Sequence, residues 1–69
     1  MNMTTIKTKI KGMHCRSCEM LIEETLMDAG VDKSTINHKE GTAIIEFDEN
    51  KLSTMDIKKI IQSEGYEVE

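Results

Sequence analysis

The hydrophobic period of this chain changes at one place, and its only two cysteines sit at that change. Residues 4–11 alternate, with Ile6, Thr8 and Ile10 on one face and Lys7, Lys9 and Lys11 on the other, which is the pattern of a half-buried strand. Gly12 breaks the run. From Arg16 to Ala29 apolar residues fall at Leu21, Ile22, Leu26 and Ala29, which is helical spacing. Between the two lies Gly12-Met13-His14-Cys15-Arg16-Ser17-Cys18. A strand that passes through a short loop into a helix brings two thiols within reach of one ion. It also sets them beside unpaired backbone N–H groups and the positive end of the helix dipole, both of which favour thiolate charge.

The rest of the chain follows the same two periods. Gly30 closes the first helix as a C-cap. Residues 31–39 read as a second strand with Ser34, Ile36 and His38 inward, and Lys39-Glu40-Gly41 as a hairpin turn. A third strand runs over residues 42–48 with Ala43, Ile45 and Phe47 inward, and a loop follows over residues 48–51. Ser53 with Asp56 three positions on is a capping box, and Ile57, Ile60 and Ile61 form the buried stripe of a second helix that Gly65 ends. Residues 66–69 add a short last strand. The order β-α-β-β-α-β predicts an α+β fold, the ferredoxin-like sandwich, with a four-stranded antiparallel sheet and both helices on one face.

Composition narrows the function. The 69 residues form one domain, 1–69, without proline or a low-complexity linker, too small to enclose a large substrate cavity. With no Trp, one Phe and one Tyr, the core must be aliphatic. A net charge of −4 and the lack of interleaved aromatics exclude nucleic acid as a partner. No apolar run has the length of a signal peptide or a membrane span, so a cytoplasmic location without direct membrane insertion is expected. Thiols stay reduced there, and paired cysteines are then metal ligands or redox groups rather than a staple.

The Gly-Met-x-Cys-x-x-Cys segment, its strand-to-helix setting and the chain length together resemble the heavy-metal-associated domain family, the small copper-carrying modules with a Met-x-Cys-x-x-Cys loop. The resemblance covers essentially the whole chain. It implies the same fold and a non-enzymatic function, with Cu(I) bound by Cys15 and Cys18 and transferred by ligand exchange. The implied partner is a copper-transporting P-type ATPase or its N-terminal metal-binding domain. The chain itself is either a free-standing chaperone or such a domain, and either a monomer or a copper-bridged dimer. Ligand softness agrees: thiolates select Cu(I) ahead of Zn(II) and Cd(II), and Cu(I) accepts two or three ligands whereas Zn(II) wants four. The alternatives are a Zn(II) or Cd(II) carrier, a small dithiol oxidoreductase and a pair of inert thiols. The oxidoreductase reading lacks a supporting proline and an aromatic beside the first Cys.

Around the thiols, a helical wheel places Cys18 with Leu21, Ile22, Thr25 and Ala29, so Cys18 should be sheltered and Cys15 open. The resemblance makes Met13 a plug into the core, with a thioether ligand as the alternative. His14 is an exposed loop residue or a third ligand. A four-ligand zinc site of His14, Cys15, Cys18 and His38 can be drawn, but the resemblance puts the end of strand 2 away from the loop, and His38 is read as a satisfied or peripheral histidine. By the same resemblance Tyr66 lies near the metal, either shielding it or simply packing at the core rim. Lys7, Lys9 and Lys11 solvate the outer sheet face or pair with Glu46 or Asp48. Glu19, Met20, Glu23 and Glu24 on the first helix form a candidate docking surface beside the cysteines, with Met27 further along it.

Overall fold

The computed structural model describes residues 3–69, so the first two residues of the expected domain lie outside the described residues. The elements run β1 (Met3–Lys11), α1 (Arg16–Ala29), β2 (Lys33–Asn37), β3 (Thr42–Asp48), α2 (Thr54–Ser63) and β4 (Glu67–Val68). The four strands form one sheet in the order β2-β3-β1-β4, with every neighbouring pair antiparallel. This is the expected ferredoxin-like arrangement. Among the described residues no helix is long and apolar enough to cross a membrane.

Alternation decides which sheet face meets the helices. Ile10 of β1, Ile36 of β2 and Ala43, Ile45 and Phe47 of β3 are buried in one cluster with Ile22 and Leu26 of α1 and Ile57 and Ile61 of α2, and Thr8 of β1 is buried as well. Each large aliphatic side chain withdrawn from water contributes about 1.5–3 kcal/mol, so this one-sided layer is the main source of stability. The opposite face stays open, with Lys7, Lys9, Lys11 and Ile44 exposed.

Helix ends follow their local chemistry. Ser53 and Asp56 form the capping box at α2: the Asp56 N–H donates to Ser53 Oγ at 3.1 Å and the Ser53 N–H donates to Asp56 Oδ2 at 3.0 Å. At the end of α1, Gly30 adopts φ 107, and the Val31 N–H donates back to the Leu26 carbonyl at 3.0 Å, so that Val31 is buried under the helix.

Four sequence expectations change. Strand 2 is shorter than residues 31–39, because Val31 belongs to the end of α1. At its other end the Asn37 side chain accepts from the N–H groups of Lys39 and Glu40, which starts the turn at His38. The buried stripe of α1 is Glu19, Ile22 and Leu26, while Leu21 is 54% exposed and Ala29 is also exposed. The helix is rotated from the expected wheel because a paired carboxylate takes an inward position. The lysine row does not face Glu46 or Asp48: Lys7 opposes Ile44, Lys9 opposes Thr42, and Lys33 stands opposite Glu46. Lys11 pairs instead with Glu69 at 3.5 Å. The last strand is confined to Glu67 and Val68, held against Lys11 and Ile10.

Candidate metal centre

β1 delivers the chain to Gly12, whose φ of 102 turns it out of the sheet. A Cβ there would lie 3.4 Å from the Tyr66 ring, so glycine both permits the turn and seats the aromatic. Met13 drops into the core and is only 8% exposed. Its thioether side chain joins the aliphatic core cluster. His14 and Cys15 then lie on the surface.

Cys15 is the N-cap of α1, in extended conformation, and makes no side-chain cap bond. The Cys18 N–H donates to the Cys15 carbonyl at 3.1 Å, which tightens the first turn. Both thiols are free, Cys15 exposed and Cys18 half-buried against the core. That is the sheltered-and-open asymmetry expected of the pair.

The Cys18 thiol is brought down from 9.0 to about 7. The Tyr66 hydroxyl has the largest influence and the backbone N–H of His14 the next. Partial burial opposes them, and the backbone and side chain of Cys15 assist. Each of these groups stabilises a thiolate more than a thiol. Tyr66 is pushed the other way: its hydroxyl is held above its ordinary value by its bond to Cys18 and then by burial. The fold thus brings Cys15, Cys18 and Tyr66 together, with Met13 beneath them. His14 takes part through its main chain, while its ring lies on the surface.

The docking surface expected on α1 loses one member. Glu19 is only 7% exposed and cannot offer its charge to a partner. Its Oε2 accepts from the His38 N–H at 2.6 Å and lies 2.6 Å from His38 Nδ1, and its Oε1 is 3.6 Å from Arg16. The His38 N–H above all holds the Glu19 carboxyl below the usual carboxylate range. Met20 is 57% exposed, Glu24 is exposed and Glu23 is half-buried, so these three keep a surface position.

His38 is corrected in place. β2 runs parallel to β1, since both are antiparallel to β3, so the end of β2 lies on the loop side of the sheet. His38 is satisfied, as expected of it, but its partner is Glu19. Among the described residues no group of three or more His, Cys, Asp and Glu side chains is placed to hold one ion, so the drawn four-ligand zinc site is not assembled. The Glu19–His38 pair escaped sequence reasoning because its members are 19 positions apart. The available hints were a histidine on an inward strand position and a carboxylate directly after Cys18.

Two thiols, one open and one lowered toward neutrality beside a phenol, with no disulfide between them, are suited to a soft ion held by few ligands. Comparison with known proteins points the same way. Residues 7–67 match the family model of the heavy-metal-associated domain. The copper chaperone CopZ of Staphylococcus aureus (strain JH9) is 28% identical over 60 residues, which are 86% of this chain and 88% of that protein. The solved structure of a CopZ metallochaperone superposes with a TM-score of 0.91 at 25% identity, over 96% of this chain and all 100% of that one. The solution structure of the N-terminal domain of a potential copper-translocating P-type ATPase from Bacillus subtilis, in its Cu(I)-loaded state, superposes with a TM-score of 0.90 at 26% identity, over 97% of this chain and 85% of that one. The chain belongs to the heavy-metal-associated domain family, a family of non-enzymatic proteins that bind and transfer metal.

Proposed function

We propose that this protein binds one Cu(I) through the thiolates of Cys15 and Cys18 and passes it to a partner that presents its own CxxC pair. The observation that carries this reading is the unequal pair itself: an exposed Cys15 at the helix N-terminus, and a half-buried Cys18 whose thiol is lowered to about 7. Cu(I) is the cargo. A partner thiolate adds to the ion from the open side, a three-coordinate bridged species forms, and one thiolate of this chain departs. The oxidation state of copper does not change, and a proton lost by the incoming thiol is taken up by the departing thiolate. Tyr66 and the His14 N–H hold Cys18 as thiolate, so Cys15 is the ligand expected to leave first. The kinship with a copper chaperone and with a copper-ATPase domain supports the N-terminal domain of a copper-transporting P-type ATPase as partner and the cytoplasm as the place of exchange.

Titration of the reduced protein with Cu(I) against a competing chelator tests the reading. One tightly held Cu(I) per chain, lost in Cys15→Ser and in Cys18→Ser, is expected. Near-native affinity in the double Ser variant would remove the site assignment, and tighter binding of Zn(II) than of Cu(I) at matched availability would reassign the cargo.

A further inference from the structure

We infer that Glu19 is a positioning residue for the metal loop: together with the β2–β3 turn it clamps both flanks of that loop, so that Cys18 is preset before metal arrives. The inference rests on the reading of Cys18 as a ligand. The need arises at α1, whose N-cap Cys15 makes no side-chain cap bond, so that the backbone bond from Cys18 to the Cys15 carbonyl and the exposed Arg16 are the first turn's local ties. Glu19, directly after Cys18, supplies a tertiary tie instead. Its buried carboxylate is held by the His38 N–H at 2.6 Å and by His38 Nδ1 at 2.6 Å. A carboxylate has no proton to give, so Nδ1 carries the proton in that bond. A charged acceptor with two donors is a strong and directional contact, and a buried carboxylate persists only with such partners.

The same turn reaches the other flank of the loop. The Gly41 N–H donates to the Asn37 carbonyl at 2.9 Å, which closes the turn, and the Ile10 N–H donates to the Gly41 carbonyl at 2.7 Å. Ile10 stands two residues before Gly12, and Glu19 one residue after Cys18. Residues 38–41 therefore grip the chain on entry to the loop and on exit from it. The approach to β1 is close: a Cβ at Gly41, where φ is 69, would come within 3.1 Å of the Ile10 carbonyl oxygen.

The test compares metal-free amide hydrogen exchange with Cu(I) affinity in Glu19→Ala, Glu19→Gln, His38→Ala and the double alanine variant. In Glu19→Ala, exchange is expected to accelerate at residues 19–22, whose helical acceptors are the first-turn carbonyls, and to stay unchanged at residues 57–61 of α2. Cu(I) affinity is expected to fall about tenfold, the low end of what removing a ligand-orienting group costs. Glu19→Gln, which can still accept from the His38 N–H, is expected to recover part of both effects. His38→Ala, which keeps that N–H, is expected to lose less than Glu19→Ala, and the double variant no more. Uniform acceleration across both helices, or local acceleration with native affinity, would overturn the inference. If Glu19→Ala does not fold, Glu19→Gln and His38→Ala decide it by the same two readouts. The exchange measurement needs no metal, so a native protein that fails to bind Cu(I) would defeat the copper reading separately.

Discussion

The two helices of this protein begin at the same pair of positions with different chemistry. At α2, Ser53 is the N-cap and Asp56 the third helical residue, and they exchange hydrogen bonds that satisfy two otherwise unpaired N–H groups. At α1 those positions hold Cys15 and Cys18. Half of the exchange survives there, because the Cys15 backbone helps to lower the Cys18 thiol, but the Cys15 side chain caps no backbone N–H in return. Oxygen at these positions stabilises a helix; sulfur leaves the helix end incomplete, with the Cys15 thiol exposed and making no cap bond. The proposed metal centre occupies a place where the fold would otherwise have a cap.

The largest effect expected from this comparison is an exchange of function for stability. Cys15→Ser should abolish tight Cu(I) binding and leave the fold intact. Its urea midpoint should stay the same or rise, since a capping Ser is worth about 1 kcal/mol over a residue that does not cap. Chelator competition and urea unfolding on the same sample measure both. A variant that unfolds would break the analogy between the helix ends. The reverse experiment is smaller. Ser53→Ala should cost about 1 kcal/mol and leave Cu(I) affinity unchanged; altered affinity would mean the two ends are coupled.

pH separates the ends further. The Cys18 thiol is depressed to about 7 from 9.0, so its thiolate adds stability that is fully present above the unfolded value near 9.0 and is lost as pH falls through about 7. The reduced, metal-free protein should therefore become more stable between pH 7 and 9, and Cys18→Ser should flatten that rise. Asp56 is also lowered, chiefly by the Ser53 N–H, so its contribution is present above the ordinary 3.8 and disappears only as pH falls below it. Urea midpoints across the two pH ranges would show whether each helix end titrates in its own window.

The smallest effect concerns the exposed flank of α1. Glu19 is buried, so the charge available to steer a partner is that of Glu23 and Glu24. Glu23→Lys/Glu24→Lys should slow Cu(I) transfer to a partner domain several-fold at low salt and hardly at all at high salt, with affinity unchanged. Equal stopped-flow rates for native and variant protein at both salts would make this flank a solvated helix face.

What could be read from sequence was what local rules govern. The Ser53–Asp56 spacing, the αL glycine after Ala29, the period-two runs in β1 and β3 and the CxxC junction each carry their own instruction, and they gave the element order and the thiol pair. The misreadings lie where a distant partner decides. Apolarity alone turns Leu21 and Ala29 inward on the wheel, whereas Glu19 turns inward only with His38 waiting across the sheet end. Hydropathy carries β2 on to residue 39, but the Asn37 side chain ends it. Tyr66 could be placed near the thiols by resemblance, but its effect on Cys18 depends on a pairing between chain segments that no local pattern encodes.

That pairing also fixes when the centre can exist. Tyr66 is set over Gly12 because β4 joins β1 through Val68 opposite Ile10 and Glu67 opposite Lys11. During synthesis both cysteines leave the ribosome well before Tyr66 does, and until β4 docks Cys18 lacks the largest of the influences that lower its thiol. The acidity of Cys18 is thus a product of completed folding. On the proposed function, a nascent or misfolded copy is a poor competitor for copper, and the ion goes to chains already able to hand it on.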